Sequence, residues 1–223
     1  LSMLMKHSNV LSTVIFEDYP DLLVNQLEFA KLKAPTVVSW SFRNCFSKKH
    51  RRIIDLLKLF SEYYGDIQTF QFDNVYFDLL IADELMNQLK SSPCFQTLEI
   101  LDLVRLDITE LDAQSVYDAF TQQLSNTESI FHFHFDSKYS STIKINESLC
   151  NLGPTLQSFV LNEMNLVSFP VMNLPENITN IELPNCKFSP NSLVNVFKCI
   201  HNSKNNISLN LSDLKIGKKE CSE

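Results

Sequence analysis

Apolar residues recur along this chain in clusters that share one spacing. In the best-preserved cluster they stand at Leu98, Leu101, Leu103, Leu106 and Ile108. Alternation of apolar and polar residues over the centre of the cluster is typical of a β-strand with one buried face. The last two positions extend the apolar pattern beyond the strand, so the cluster predicts a strand followed by a turn that also packs into the core.

The same pattern recurs, in whole or in part, in seven other segments, and successive segments begin 22 to 32 residues apart. Self-similarity at such a period predicts a repeat architecture. The anchor positions of these seven segments are, in chain order, Leu11, Val14, Phe16 and Tyr19; Val37, Trp40, Phe42 and Cys45; Ile67, Phe70, Phe72, Val75 and Phe77; Ile130, Phe133, Phe135 and Lys138; Leu156, Phe159, Leu161, Met164 and Leu166; Ile178, Ile181, Leu183, Cys186 and Phe188; and Leu209, Leu211, Leu214 and Ile216.

Between the strands, apolar residues take helical spacing. Residues 48–64, 78–92, 111–125 and 189–201 each predict one helix, and Ser189-Pro190 marks the start of the last. Residues 167–177 hold two prolines, so an irregular link is expected there. The expected core faces of the helices are Ile53, Ile54, Leu56, Leu57 and Phe60; Leu79, Leu80, Leu85 and Leu89; Leu111, Val116, Phe120 and Leu124; and Leu193, Val196, Phe197 and Ile200.

Units of this length match the long form of the leucine-rich repeat, L-x-x-L-x-L-x-x-N/C-x-L. One unit cannot bury its apolar face alone, whereas stacked units share a continuous core. The predicted fold is therefore an α/β leucine-rich repeat solenoid (horseshoe), with parallel strands on the concave face and helices or irregular returns on the convex face. Residues 1–223 would form a single domain of about eight repeats, which we expect to be a fragment of a longer chain. The alternative is an α/β domain without repeats.

Residues that alternate with the anchors should face solvent on the concave side of the sheet. This surface is mixed and mildly acidic, so it would suit a protein partner with basic and small apolar groups. Trp40 falls on an anchor position and is expected in the core. The predicted partner-binding residues are Ser41, Arg43, Gln71, Asp73, Asp102, His132, His134, Asp136, Asn162, Glu182 and Asn210.

The N/C position of the template normally ties the backbone of the turn through its side chain. Cys45 and Cys186 can do this weakly, whereas Val75, Leu106 and Met164 cannot. We therefore expect an atypical and more apolar ladder at this position.

Composition narrows the function classes. The formal net charge of −7 argues against nucleic acid as the main partner, because phosphate binding needs a basic surface. No stretch reaches the ~20 apolar residues of a membrane-spanning helix.

The six cysteines lack CxxC spacing, which argues against a zinc site and favours buried thiols in the cytoplasm. Sequons at Asn146, Asn177, Asn206 and Asn210 are the opposing signal, since they favour a secreted protein.

The sequence offers little for catalysis or metal binding. His132 and His134 share one predicted strand face, but a metal would need ligands from neighbouring strands, and the alternative is two imidazoles on a binding surface. The basic run at 48–52 is interpreted as a solvated helix turn, with a phosphate-binding patch or a localisation signal as alternatives. Three glycines cannot build a phosphate-binding loop, and no catalytic motif occurs. We therefore predict neither an enzyme nor a cofactor.

One stretch resembles a known family. Residues 178–217 carry I-x-L-x-x-C-K-F-S-P-x-x-L followed by S-L-N-L-S, and they resemble consecutive repeats of the CARMIL family of capping-protein, Arp2/3 and myosin-I linkers. The other repeats match only the general long-repeat class, which includes ribonuclease inhibitor and tropomodulin. The resemblance implies a cytoplasmic regulator of actin assembly.

The family's inhibitory segment for capping protein is a basic stretch with Arg and Pro beyond the repeats. This chain has four Arg and no such stretch, so no functional residue of the family carries over. The predicted function is thus a protein-interaction scaffold in regulation of the actin cytoskeleton. The alternatives are a secreted or cell-surface recognition repeat and a regulatory repeat domain of a larger enzyme.

Overall fold

In a computed structural model the chain divides into two compact units, Leu1–Asp107 and Ile108–Glu223. Both are α/β units in which parallel strands alternate with helices, which confirms the predicted fold class at this level. Predictions for Tyr19, Asn146 and residues 48–51 lie outside the described part of the chain. The structure describes residues 11–18, 36–46, 52–60, 65–124, 128–145 and 153–217.

The first unit is built on a parallel sheet in the order β1-β2-β3-β5, with β4 paired to β5. Its strands and helices are β1 (Thr13–Glu17), β2 (Ser39–Arg43), α1 (Arg52–Phe60), β3 (Thr69–Asp73), β4 (Tyr76–Phe77), α2 (Leu79–Ser91) and β5 (Ile100–Ile108). Anchors of successive strands stand in register, as in the row Phe16, Phe42, Phe72 and Leu103. The predicted spacing of anchors therefore sets the pairing of the strands.

The second unit has a parallel sheet in the order β6-β7-β9-β11 and a smaller one in the order β8-β10-β12. Its strands and helices are α3 (Glu110–Leu124), β6 (His132–Ser137), β7 (Ser158–Leu161), β8 (Asn165–Leu166), β9 (Asn180–Glu182), β10 (Lys187–Phe188), α4 (Pro190–Asn202), β11 (Ser208–Asn210) and β12 (Lys215–Ile216). The anchors Phe133, Phe159, Ile181 and Leu209 again form one row.

The starts of five strands, namely β2, β3, β5, β7 and β9, share one hydrogen-bond arrangement. A single carbonyl oxygen accepts from two successive backbone N–H groups at the start of the next strand. The acceptors are Ser12, Val38 and Gln68 in the first unit, and Phe131 and Gln157 in the second. Because the same arrangement recurs with the sequence period, the repeats are alike in backbone geometry as well as in anchor spacing.

The anchors form the core of each unit. Trp40 is fully buried, as predicted, and the Phe16 and Phe42 rings stack at 5.4 Å while those of Phe42 and Phe72 stack at 5.6 Å. The last set is the exception: Leu209, Leu211 and Leu214 are only partly buried and Ile216 is 50% exposed. No later strand covers them among the described residues.

A helix occupies the described part of each predicted range, but four expected core positions are wrong. Leu79 and Leu80 of α2 and Leu111 of α3 are exposed, Leu111 by 92%. They lie in the first turn of each helix, ahead of the buried stripe that begins with Ile81 and Ala113.

On α4, Phe197 is half exposed, whereas Val196 and Cys199 are buried. The buried stripe of this helix is therefore rotated by one position from the one predicted.

Residues 167–177 form the expected irregular link, and α4 fixes its backbone. The Ser192 hydroxyl accepts from Phe169 N at 3.2 Å and donates to Val167 O. Asn195 Nδ2 donates to Phe169 O at 2.9 Å, and Cys199 Sγ accepts from Met172 N at 3.2 Å. Side chains of one helix stripe thus satisfy backbone groups that the prolines keep out of regular structure.

Candidate functional site

The predicted partner-binding residues lie on the polar side of the sheet in each unit. We call Ser41, Arg43, Gln71, Asp73 and Asp102 face 1, and His132, His134, Asp136, Asn162, Glu182 and Asn210 face 2. Face 1 belongs to the first unit and face 2 to the second. Each face is described by itself below.

Parallel pairing arranges face 1 in two rows. Ser41, Gln71 and Asp102 stand in register in one row, and Arg43 pairs with Asp73 in the next. The Ser41 hydroxyl donates to Gln71 Oε1 at 2.8 Å, so neighbouring strands are also joined through their side chains.

Arg105, which the sequence reasoning missed, neutralises a charge on face 1. Its Nε donates to Asp73 Oδ1 at 2.9 Å and its Nη2 to Asp73 Oδ2 at 2.8 Å, a bidentate pair. Arg105 reaches back because its backbone is left-handed, with φ of 48°. The signal in the sequence was its place directly before the N/C anchor Leu106, the template position that Asn44 and Asn74 occupy in the earlier strands.

Face 2 is also arranged in register. His134, Val160, Glu182 and Asn210 form one row across β6, β7, β9 and β11. The row before it is His132, Ser158, Asn180 and Ser208. The structure therefore brings His132, His134, Glu182 and Asn210 together with Ser158, Val160 and Asn180, which the predicted site left out.

A network of hydrogen bonds crosses four strands of face 2. His132 Nδ1 lies 3.0 Å from Ser158 Oγ, which also accepts from Asn180 Nδ2 at 3.0 Å. Asn180 Nδ2 donates its second hydrogen to Glu182 Oε1 at 3.0 Å. Asn210 Nδ2 donates to Glu182 Oε2 at 3.4 Å, so each carboxylate oxygen of Glu182 accepts one amide hydrogen. The network fixes the plane of this carboxylate.

Three of the predicted partner-binding residues, and Val160 on the same side of the sheet, are buried rather than exposed to solvent. Ser41, Asp73, Asp136 and Val160 are between 5% and 9% exposed. Register neighbours on parallel strands stand only about 4.8 Å apart, so larger side chains on either side cover a short one. Asp136 also accepts from Asn162 Nδ2 at 3.1 Å, which keeps it against the sheet.

The N/C position is apolar and buried at Val75, Leu106 and Met164, as expected, and the residue before it forms a polar ladder that was not predicted. In the first unit Asn74 Nδ2 donates to Asn44 Oδ1, and Asn44 Nδ2 donates to Asp18 Oδ1, both at 2.8 Å. All three have φ between 51° and 58°, a left-handed region that Asn and Asp tolerate better than most residues. In the second unit, Asn185 donates to Asn162 Oδ1 at 3.1 Å.

The cysteines at the N/C position act as expected. Cys45 Sγ donates to Arg43 O at 3.2 Å, and Cys186 Sγ donates to Leu161 O at 3.2 Å. Burial raises the pKa of Cys186 to about 12, and burial likewise raises that of Cys94 to about 12. These thiols stay protonated at neutral pH and serve as backbone ties rather than nucleophiles.

His132 and His134 lie on the polar side of the sheet in the second unit. No group of three His, Cys, Asp or Glu side chains able to hold a metal occurs in the described residues. The His132–Ser158 distance would suit a base and a nucleophile. Ser158 Oγ, however, already accepts from Asn180, and the flanking strands pair their backbone within the sheet. No oxyanion hole is therefore formed by the backbone of β7.

Comparison with known proteins identifies no family to which this chain is similar. No protein-family model matches the chain, and no curated protein matches it. Within the described ranges, no helix combines the length and apolar character that crossing a membrane requires.

Proposed function

We propose that this chain is a protein-interaction scaffold of the leucine-rich repeat type, each unit being a stretch of solenoid whose polar sheet face receives the partner. The observation that carries the proposal is the register: successive repeats place their anchors in buried rows and their polar residues in parallel rows on one side. The recurring carbonyl that accepts two N–H groups supports the repeat assignment. A surface built in this way presents many polar groups in fixed positions to a partner.

The contacts of the polar faces support binding rather than catalysis. Ser41, Asn180 and Asn210 use their side chains to hold neighbouring groups in place. Such preorganisation lowers the entropy that a partner must overcome to bind. The scaffold therefore recognises a surface through groups that are already positioned.

A cytoplasmic role in regulating the actin cytoskeleton is the more specific part of the proposal. It rests on the resemblance of residues 178–217 to CARMIL repeats. The cysteines Cys45, Cys94, Cys186 and Cys199 are free and buried, as suits a reducing compartment.

The contacts of two sequon asparagines also favour the cytoplasm. Asn177 Nδ2 donates to Pro154 O at 2.7 Å, and Asn210 Nδ2 donates to Glu182, so two amide nitrogens that would carry glycans are engaged.

Site-specific photocrosslinking in native lysate tests the proposal. A photoreactive residue at Gln71 or Ser208 would probe the two polar sheet sides, and one at Lys198 on the exposed side of α4 would serve as the control. We expect discrete crosslinked proteins from the two sheet positions and none of them from Lys198. Mass spectrometry of the products should identify actin-regulatory proteins.

Equal crosslinking from all three positions would contradict binding at the polar faces. Discrete products without any actin-regulatory protein would leave the scaffold role intact and refute the cytoskeletal one. Comparison of the three positions thus separates the two parts of the proposal.

A further inference from the structure

The charges of the two polar faces are balanced differently. On face 1 the carboxylate of Asp73 is paired bidentately with Arg105, and Arg43 stands in register between Glu17 and Asp73. The four strands of face 2, in contrast, carry the acids Asp136 and Glu182 and contain no Lys or Arg. Glu182 has amide donors on both oxygens but no cationic partner among the described residues.

The geometry around Glu182 points to a ligand with planar donors. Its two oxygens are held by Asn180 and Asn210, so the carboxylate plane cannot rotate freely to follow a ligand. Each oxygen retains a lone pair, and Asn180 Oδ1 is a further acceptor because both amide hydrogens of Asn180 are already donated. Several acceptors therefore converge, and no Lys or Arg in the described part of the chain forms an ion pair with them.

An apolar floor adjoins these acceptors. Val160 stands in register with Glu182 on the next strand, about 4.8 Å away, and it is 8% exposed. A long cationic side chain could lay its methylene stem on Val160 while its head reaches the carboxylate. Only a small part of Val160 is exposed, so the stem adds a minor contact beside the carboxylate.

We infer that face 2 binds an arginine side chain of an extended partner segment, with the guanidinium paired bidentately to Glu182 and its stem on Val160. This inference rests on the proposed binding function and names the chemistry of the partner. Arginine is favoured over lysine because a fixed carboxylate plane matches the two parallel N–H donors of a guanidinium. The ammonium of lysine gains nothing from a fixed plane.

Peptide titration followed by NMR tests this assignment. The probes are acetyl-Gly-Ser-Arg-Ser-Gly-amide and two otherwise identical peptides with citrulline or lysine in place of arginine. Citrulline keeps the shape of arginine and removes the charge. We expect the arginine peptide to produce saturable shifts in the Val160 methyl groups and in the side-chain amides of Asn180 and Asn210.

Citrulline should weaken binding about tenfold or more, since hydrogen bonds to charged groups dominate such contacts. Lysine should bind more weakly than arginine. Glu182→Gln should produce a loss like that of citrulline, whereas the matched control Glu163→Gln, on the exposed turn after β7, should leave affinity unchanged.

Several results would overturn the inference: no saturable shift with the arginine peptide, equal binding of the citrulline peptide, or lysine binding as tight as arginine. All three comparisons use the unaltered chain, so they hold even if Glu182→Gln fails to fold. Absence of peptide binding together with partner crosslinks from Ser208 would refute the arginine site and leave the proposed function standing.

Discussion

At the residue scale, a single position recurs in the turns that follow the strands. Asp18, Asn44, Asn74, Asn185 and Asp213 all take left-handed backbone with φ between 51° and 58°. Each comes directly before the N/C anchor, so the signal was present in the sequence. The anchor pattern drew attention to Cys45 and Cys186 and away from the residue in front of them. The backbone conformation, which the pattern does not encode, decides which side chain forms the ladder.

Substitutions at Asn74 distinguish the contribution of the left-handed backbone from that of the side-chain hydrogen bond. In Asn74→Ala the left-handed conformation becomes strained and the hydrogen bond to Asn44 is lost, so we expect the free energy of unfolding to fall by about 1–2 kcal/mol. Asn74→Gly loses the same hydrogen bond but relieves the strain, so its loss should be smaller. Urea denaturation of both variants measures the difference, and an alanine variant as stable as the glycine variant would contradict the role of φ.

Tyr117 offers a test in the core. Its side chain is fully buried against Phe135, and its hydroxyl has no hydrogen-bond partner among the described residues. A buried hydroxyl without a partner is destabilising, so Tyr117→Phe should leave stability unchanged or raise it by about 1 kcal/mol. Thermal unfolding would show this, with Tyr139→Phe at a half-buried site as control. A clear loss of stability would mean that the hydroxyl has a partner.

The buried thiols predict a response to alkaline pH. The pKa values of Cys94 and Cys186 are raised from 9.0 to about 12 in the folded chain, mainly by burial. The unfolded chain therefore releases these protons first as pH rises. The stabilising contribution is complete below pH 9 and is lost progressively between pH 9 and 12.

Denaturation at pH 7, 9 and 10.5 measures this effect. We expect the free energy of unfolding to decrease above pH 9, and to decrease less in a Cys94→Ala/Cys186→Ala double variant. An equal decrease in both proteins would exclude the thiols as the cause.

At the element scale, the sequence predicted where helices form better than which of their residues are buried. Apolar spacing located α2 and α4 almost to the residue, and the prolines located the irregular link. Leu80 and Leu111 are exposed although their spacing predicted burial. Spacing indicates which side of a helix is apolar, but it does not indicate at which residue that side begins to pack against the sheet. The hydrogen bonds of Ser192 were not predicted either. Its partners are backbone groups of an irregular segment, which no periodic pattern describes.

Ser192 should be the residue that most firmly ties this segment to α4. Ser192→Ala leaves the buried Phe169 N without its acceptor, while Val167 O keeps the donor that the Ser189 hydroxyl supplies. We expect a loss of about 1–3 kcal/mol in the free energy of unfolding, the range for leaving buried polar groups unpaired. Asn191→Ala, one residue earlier and exposed, is the control and should lie within about 0.5 kcal/mol of the parent chain. Equal losses in the two variants would refute the tie.

At the scale of the whole molecule, the sequence predicted the membership of the polar rows but not their interactions. The alternation of residues placed Gln71 and Glu182 on polar sides correctly. It could not show that Arg105 neutralises Asp73, nor that Asn180 holds Glu182, because both contacts depend on side-chain reach across strands. The fold class therefore follows from periodicity, whereas the chemistry of the surface follows from register.

The most direct test of the central claim is the affinity of a purified crosslinked partner for the chain and for variants of each polar face. Asp102→Ala on face 1, and His134→Ala with Glu182→Ala on face 2, remove side chains that are not anchors. If the faces bind the partner, the Kd should increase by about tenfold or more for at least one variant while its Tm stays that of the parent chain. An unchanged Kd in both variants, with unchanged Tm, would contradict binding at the polar faces.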